Sequence, residues 1–271
     1  MRVDNHAILL GSMKSGTSTL YSLLAQHPQV EGALIKEPVY YCKTKRNGPC
    51  PVEKYGDVWP NATLDGSTSY TKYPTFPGVP EAIRADGLEP RFIYIMRDPI
   101  RRIESHWDHL RLDPNFDLSS GLLDNMIAPS RYHEQLSRFR AQFPERERYL
   151  LLLFEELRER KCFEFLDIDP GFEPEIANAN VTKPYSNLEL RFERLGVGKA
   201  VRRLPDWIKD AVRSLLDKSG SAPKMTLDEA KKAEIRAMLA DDMHALERDY
   251  AIDVSQWGFG ERAVEPAKAG S

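Results

Sequence analysis

The first 26 residues contain the feature that most constrains the fold, which is a strand pattern, a glycine-bounded loop and a helix pattern in direct succession. The apolar run from His6 to Leu10 predicts a buried strand, and Thr17 to Gln26 carries leucines at helical spacing. Between them, Gly11 to Gly16 is a loop of small residues. A helix that begins directly after such a loop offers free N–H groups and a positive dipole end to an anion. We therefore predict an anion-binding loop at residues 11–18, called the phosphate loop below.

Further strand patterns alternate with helical ones along the chain. Arg91 to Met96 and Tyr149 to Phe154 are apolar runs typical of buried strands, and Val30 to Ile35 is a further short apolar stretch. Helices are predicted from about Ile100 to Arg111 and from Glu155 to Leu166. Strands separated by helices indicate a parallel sheet with helices on both faces.

The remaining segments complete the prediction of a single α/β domain with a helical C-terminal third. Residues from about Thr44 to Leu64 are rich in Pro, Gly, Asn and charge and predict a surface loop. The pattern Thr226-Leu-Asp-Glu229 predicts a capping box that opens the last helix. Apolar side chains along one face of that helix are Leu239, Met243, Leu246 and Tyr250. We assign residues 1–260 to the domain and residues 261–271 to a polar, disordered tail.

Composition excludes several classes of protein. The 271-residue chain is 41% hydrophobic, 29% charged and has a net charge of −3, so it lacks the global positive charge that nucleic-acid binding favours. Its three cysteines are too few for a disulfide framework or a four-cysteine metal site. Cys42 and Cys50 either pair in an oxidising compartment or remain separate thiols. The start of the chain shows neither an export signal nor a membrane span, so we expect a cytoplasmic protein with no nucleic-acid partner.

The phosphate loop departs from the nucleoside-triphosphate pattern G-x-x-x-x-G-K-[ST] at its key position. Gly11 and Gly16 have the spacing of that motif, but Thr17 stands where it requires lysine. The lysine of this loop is Lys14, before the second glycine. A kinase without the P-loop lysine would be impaired, so the loop favours a different phosphate donor.

The stretch Met13-Lys-Ser-Gly-Thr-Ser-Thr-Leu20 resembles the 5'-phosphosulfate-binding loop of sulfotransferases that use 3'-phosphoadenosine-5'-phosphosulfate (PAPS), written P-K-[SA]-G-T-[TS]. Met13 stands where many members have proline or arginine. The resemblance implies that the donor's 5'-phosphosulfate is bound by Lys14, Ser15, Gly16, Thr17 and Ser18.

A second phosphate site is predicted where the strand ending at Met96 runs into Arg97-Asp-Pro99. An arginine at the carboxyl end of a parallel strand faces the ligand crevice of an open sheet, and Ser105 follows two helical turns later. Arginine and serine together suit a terminal phosphate. The alternative is that Arg97 and Asp98 form a structural salt bridge at the helix start. The segment resembles the family's 3'-phosphate motif, in which R-[DN]-P begins the stretch and S-[HY] closes it.

The stretch Lys36-Glu-Pro-Val-Tyr-Tyr41 resembles the K-E-P-x-[FY]-[FY] segment of carbohydrate sulfotransferases of the heparan-sulfate type and their bacterial relatives. This resemblance implies that Glu37 is the general base, while Lys14 steadies the charge on the leaving phosphate. Lys36 is expected to hold the sulfuryl oxygens or assist Glu37. His106 and His109 compete as bases, although His106 is expected to pack beside the phosphate-binding serine.

Weaker similarities extend the resemblance over roughly residues 6 to 190. Residues 65–70 resemble the S-P-x-Y segment of that branch, and Phe154-Glu-Glu-Leu157 resembles its Y-E-[DE]-L pattern. Lys183 falls where many members place a basic loop over the cofactor.

Together these resemblances imply a sulfotransferase that moves a sulfuryl group from PAPS to a hydroxyl or amine, without a metal, and releases 3'-phosphoadenosine-5'-phosphate (PAP). The glutamate-type segment favours a carbohydrate or glycolipid acceptor, with a small molecule also possible. The alternatives are a P-loop-type kinase and a non-catalytic nucleotide-binding protein on the same fold. The sequence leaves open the acceptor, O- or N-sulfation and the oligomeric state.

Overall fold

The computed structural model describes residues 5–33, 35–42, 62–110, 122–175 and 224–260. Its helices alternate with strands that form one parallel sheet. The strands are β1 His6–Gly11, β2 Val30–Gly32, β3 Ala62–Asp65, β4 Arg91–Met96 and β5 Tyr149–Leu153. The α-helices are α1 Thr17–Leu24, α2 Val79–Ala85, α3 Pro99–Leu110, α4 Leu122–Ile127, α5 Tyr132–Gln142, α6 Glu159–Phe165 and α7 Glu229–Tyr250. Short 3-10 helices span Tyr40–Cys42, Thr68–Thr71, Ala128–Ser130, Arg146–Arg148, Phe154–Glu156 and Ser255–Trp257.

The strand order β2-β3-β1-β4-β5 places β1 at the centre of the sheet. Ile8 of β1 lies between Asp65 of β3 and Phe92 of β4. The chain fills the β3 side first and then crosses to β4, so the direction of winding reverses at β1. Ligands of open parallel sheets bind outside the carboxyl ends of the strands at such a reversal. The phosphate loop leaves β1 at this edge.

Alternating residues of the central strands divide the core into two layers, as the pleat of a strand requires. Ala7 and Leu9 pack with α1 and α6 on one face. Ile8 and Leu10 face the opposite layer, which contains α2, α3, α5 and α7. The predicted α/β fold, with a parallel sheet between helices, is therefore confirmed.

Two local predictions were wrong. The segment predicted as a loop up to Leu64 ends in strand β3, and all four of its residues, Ala62–Asp65, are buried. This strand is held by pairing with β1 and β2, which a short and weakly apolar stretch does not reveal. The last helix begins two residues later than the predicted capping box, because Asp228 rather than Thr226 caps it by accepting from the Lys231 amide.

The C-terminal helix α7 closes one face of the sheet as its apolar pattern predicts. Leu239, Met243 and Leu246 are fully buried, and Tyr250 is half-buried against the same core. No helix among the described residues is long and apolar enough to cross a membrane. Cys50, Lys183 and the tail after Gly260 lie outside the described residues, so the predictions made for them stay predictions.

Candidate active site

The phosphate loop is held tightly at the end of β1. The Ser12 amide donates to the Ile95 carbonyl of β4 at 2.6 Å, which anchors the start of the loop to the neighbouring strand. The hydroxyls of Ser12 and Ser15 share a hydrogen bond of 2.6 Å, and the Ser15 amide donates to the Ser12 carbonyl. The hydroxyl and the amide of Ser15 are therefore both used inside the loop. Ser15, predicted to contact the donor, shapes the loop in this structure.

The start of helix α1 is left available to an anion. Gly16 occupies the N-cap position in the left-handed region, and no side chain caps the first turn. The first N–H groups of a helix have no intrahelical partner, so an uncapped start can bind an anion. Thr17 is buried at this start, whereas Ser18 is exposed. This arrangement fits the phosphosulfate group that the sequence predicts.

Replacing Gly16 with alanine is expected to weaken binding of PAP. The φ angle of Gly16 is 83°, and an added Cβ would lie 2.9 Å from the Phe154 ring, so the loop would have to shift. The matched control is Gly87→Ala, since Gly87 has a φ of 72° but open space around the added Cβ. We expect a loss of PAP affinity of tenfold or more, on the order of 1.4 kcal/mol, for Gly16→Ala only. Calorimetric titration measures it, and equal affinities in the two variants would contradict this geometry.

Arg97 follows β4 and is fixed against the phosphate loop. Its guanidinium donates to the Lys14 carbonyl at 3.2 Å and lies 4.5 Å over the Phe154 ring. The buried Tyr132 hydroxyl donates to the Arg97 carbonyl at 2.7 Å. Asp98 accepts from the Ile100 amide at 2.8 Å and so caps α3, which argues against the alternative of a structural pair with Arg97. The guanidinium is thus held next to the phosphate loop.

The other predicted residues of α3 differ in accessibility. Ser105 is half-buried on this helix, while His106 is only 8% exposed. Burial, with nearby Arg102 and other cations, lowers the pKa of His106 to about 3. His109 is exposed, and its pKa is also lowered, by partial burial and by Lys14 and Lys72. A neutral, buried His106 agrees with the expectation that it packs rather than binds substrate, whereas His109 remains a rival base.

Each carboxylate oxygen of Glu37 accepts a hydrogen bond from a different side chain. The Lys36 ammonium donates to its Oε1 at 3.0 Å, and the Thr68 hydroxyl donates to its Oε2 at 3.1 Å. Lys36 also donates to the Ser18 hydroxyl at 2.8 Å. The side chain of Glu37 is 35% exposed, so an acceptor can still reach it. The segment after β2 is therefore linked directly to the phosphate loop.

Positive charge gathers at this edge of the sheet. The pKa of Lys14 is lowered by burial and by Arg97, an effect that Asp108 partly opposes. The pKa of Lys72 is lowered by burial, and Glu37 partly opposes this shift. Desolvated cations around a cleft attract anionic ligands and stabilise negative charge that develops there. Across the described ranges, no group of three or more His, Cys, Asp or Glu side chains could hold a metal ion.

Sequence reasoning missed two contacts of this site. Thr68 and Phe154 lie in the segments noted above as weaker similarities, but neither residue was assigned a role. Thr68 contacts Glu37, which is 31 positions away, and Phe154 contacts Arg97 and the Gly16 turn. Such long-range contacts depend on the sheet order, which is not visible in the local pattern.

Comparison with known proteins identifies relatives of one kind. The human heparan sulfate glucosamine 3-O-sulfotransferase 3B1 is 29% identical over 157 residues, which are 52% of this chain and 39% of that protein. The mouse heparan sulfate glucosamine 3-O-sulfotransferase 3A1 is 29% identical over 154 residues, 51% of this chain and 38% of that protein. The chain thus spans well under half the length of these curated relatives. No protein-family profile matches it.

A solved structure shares the fold over nearly the whole chain. The crystal structure of a sulfotransferase from Alicyclobacillus acidocaldarius superimposes with a TM-score of 0.64 at 20% identity and covers 93% of this chain and 98% of that one. At this identity the likeness concerns the fold alone. With the sequence similarity above, it confirms the resemblance to sulfotransferases that the motifs predicted.

Proposed function

From the likeness of this chain to the sulfotransferase family in sequence and fold, we propose that it transfers a sulfuryl group from PAPS to a hydroxyl or amine of a carbohydrate-type acceptor. The observation that carries the proposal is the bridge made by Lys36, whose ammonium lies 3.0 Å from Glu37 Oε1 and 2.8 Å from Ser18 Oγ. This bridge joins the candidate base to the loop expected to hold the donor. An acid–base residue must lie next to the reacting group, and this contact supports such a placement.

The residues of the two phosphate sites have separate tasks in the proposal. The uncapped start of α1, with Lys14, binds the 5'-phosphosulfate, and Arg97 with Ser105 binds the 3'-phosphate. Binding at these two phosphate sites would hold both ends of the donor and orient its sulfur atom. Holding reactants in an aligned geometry removes much of the entropic barrier to a two-substrate reaction. Lys183 is proposed to cover the donor from the later part of the chain.

The donor supplies an activated sulfur atom whose bond to the bridging phosphate oxygen breaks. Glu37 takes the proton of the acceptor group as its oxygen or nitrogen bonds to sulfur. The bonding electrons leave with the phosphate oxygen of PAP, and the Lys14 ammonium stabilises that charge. Lys36, which already contacts Glu37, keeps the carboxylate oriented.

The acceptor class is inferred from the printed names of the relatives, which are heparan sulfate glucosamine 3-O-sulfotransferases. The experiment offers ³⁵S-labelled PAPS with O-desulfated heparan sulfate, and with a simple phenol as the matched acceptor of the small-molecule class. We expect label in the polysaccharide. Label in the phenol alone would overturn the carbohydrate assignment, and Mg²⁺-dependent phosphate transfer from ATP would overturn the sulfotransferase assignment.

A further inference from the structure

The loop that carries Glu37 is hydrogen-bonded at three points to one short segment, residues 66–70. Gly66 donates its amide to the Lys36 carbonyl at 3.0 Å. Ser67 accepts from the Val39 amide at 3.0 Å through its hydroxyl, and Thr68 donates to Glu37. The segment 66–70 therefore fixes the backbone on both sides of Glu37 and its carboxylate.

These hydrogen bonds hold an unfavourable backbone conformation in place. Val39 has a φ of 46°, in the left-handed region that β-branched residues rarely adopt. Such a conformation persists only where the surrounding contacts determine it. The Val39 amide makes the bond to Ser67, so the anchor acts at the strained residue itself.

Asp65, at the end of β3, accepts hydrogen bonds from two residues of the segment 66–70, called the anchoring segment below. Its carboxylate is fully buried and accepts from the Ser67 amide at 2.9 Å and from the Tyr70 hydroxyl at 2.9 Å. The Tyr70 ring in turn packs against Tyr41, 5.7 Å between centroids, at the far end of the Glu37 loop. One carboxylate thus joins the start and the end of the segment.

The same strand end is tied to the phosphate loop. Asp65 is in register with Ile8 of β1, and the Thr71 hydroxyl donates to the Leu10 carbonyl at 2.8 Å, just before that loop. A buried carboxylate is costly unless it is hydrogen-bonded, and each oxygen of Asp65 accepts one hydrogen bond from the anchoring segment. Burial raises the pKa of Asp65 to about 6, with a smaller contribution from Glu37, so the group is ionised above neutral pH and can accept both bonds.

We infer that Asp65 is a positioning residue that holds Glu37 in register with the phosphate loop through Ser67, Tyr70 and the Val39 turn. The inference rests on the proposed function in assigning Glu37 as the base. Its structural part, that Asp65 sets the conformation of the Glu37 loop, can be measured without any turnover.

The test compares Asp65→Asn with Asp253→Asn. Asp253 is the matched control because it also accepts from the amide of a serine two residues later at 2.9 Å, but it is exposed near the other end of the chain. The side chain introduced by Asp65→Asn has the shape of aspartate, but only one of its two terminal atoms is an acceptor. It therefore cannot accept at both positions from the Ser67 amide and the Tyr70 hydroxyl. We expect its kcat to fall about tenfold to a hundredfold with the KM for PAPS within about twofold, because small misplacement of a catalytic group is costly. Asp253→Asn should match the wild type.

Hydrogen exchange of the Val39 amide provides the second readout. We expect it to accelerate in Asp65→Asn and, as a direct break of the anchor, in Ser67→Ala. Above pH 7, the loss of the carboxylate charge in Asp65→Asn should not by itself lower the melting temperature. Burial raises the pKa of Asp65, so its ionised form is disfavoured in the folded chain. Unchanged Val39 exchange in Asp65→Asn would overturn the inference, as would a loss of kcat matched by a loss of PAP binding. If the wild type transfers no sulfate, the proposed function fails, while the exchange result still decides the role of Asp65.

Discussion

Replacing Glu37 with glutamine is expected to lower the turnover number by about 10²- to 10⁴-fold, the usual contribution of a general base. The amide oxygen can still accept from Lys36 or Thr68, so the loop should keep its position while proton acceptance is lost. Affinity for PAP should stay within a few-fold. Initial rates of sulfate transfer and calorimetric binding of PAP measure the two quantities.

The matched control is Glu31→Gln, the same change at an exposed position on β2. It should leave both turnover and binding at wild-type values. If Glu37→Gln kept near-normal turnover, the base would have to be sought elsewhere, and His109 would be the first residue to replace.

Replacing Lys14 with alanine is the second change with a large expected effect. We expect kcat to fall by about 10²- to 10³-fold, as when one preorganised stabilising donor is removed from an active site. The backbone carbonyl of Lys14 still accepts from Arg97, so the 3'-phosphate grip should remain and PAP should still bind. The control is Lys161→Ala, an exposed lysine on α6. Equal turnover in the wild type and Lys14→Ala would remove the lysine from the mechanism.

The pH dependence gives a further readout for Lys14. Burial and Arg97 lower its pKa, with partial opposition from Asp108, so the ammonium is lost at a lower pH than for a free lysine. The ratio kcat/KM, which reports the groups of the free enzyme, should therefore decline on the alkaline side below the ordinary lysine range. Lys14→Arg, whose charge persists, should move that decline to higher pH.

The sequence predicted the elements that consist of long apolar runs or that border glycines. The strands His6–Gly11 and Arg91–Met96 are almost wholly buried. Such burial requires apolar side chains on both faces of a strand, and these apolar runs are visible in the sequence. The phosphate loop could be located because its glycines and its position between a strand and a helix have a direct physical meaning. Strand β3 could not, since Ala62–Asp65 is short and owes its burial to neighbours on both sides.

The roles of individual side chains were harder to predict than their place in the chain. Ser15 lies in the phosphate loop, yet its hydroxyl bonds to Ser12, because the tight turn directs it inward. The network of Asp65, Ser67 and Tyr70 had no local sign beyond its similarity to a family segment. Its contacts with the Glu37 loop, which give the network its place in the site, arise only when β2 and β3 lie side by side. Arg97 could be placed beside the sheet because it directly follows the apolar run of β4, and Glu37 because it lies within a segment similar to a family motif; the roles assigned to both stay predictions.

Binding of PAP, compared with ATP and Mg²⁺, is the measurement that most directly tests whether the site holds a PAPS-type donor. A ligand at a hundred times its Kd stabilises a folded protein by about 2.7 kcal/mol, which is readily seen as a rise in Tm. We expect PAP to raise the Tm of the wild type and Arg97→Ala to lose most of that rise, because the guanidinium beside the phosphate loop is removed. A rise with ATP and Mg²⁺ alone, or no rise with PAP, would contradict the proposed sulfotransferase.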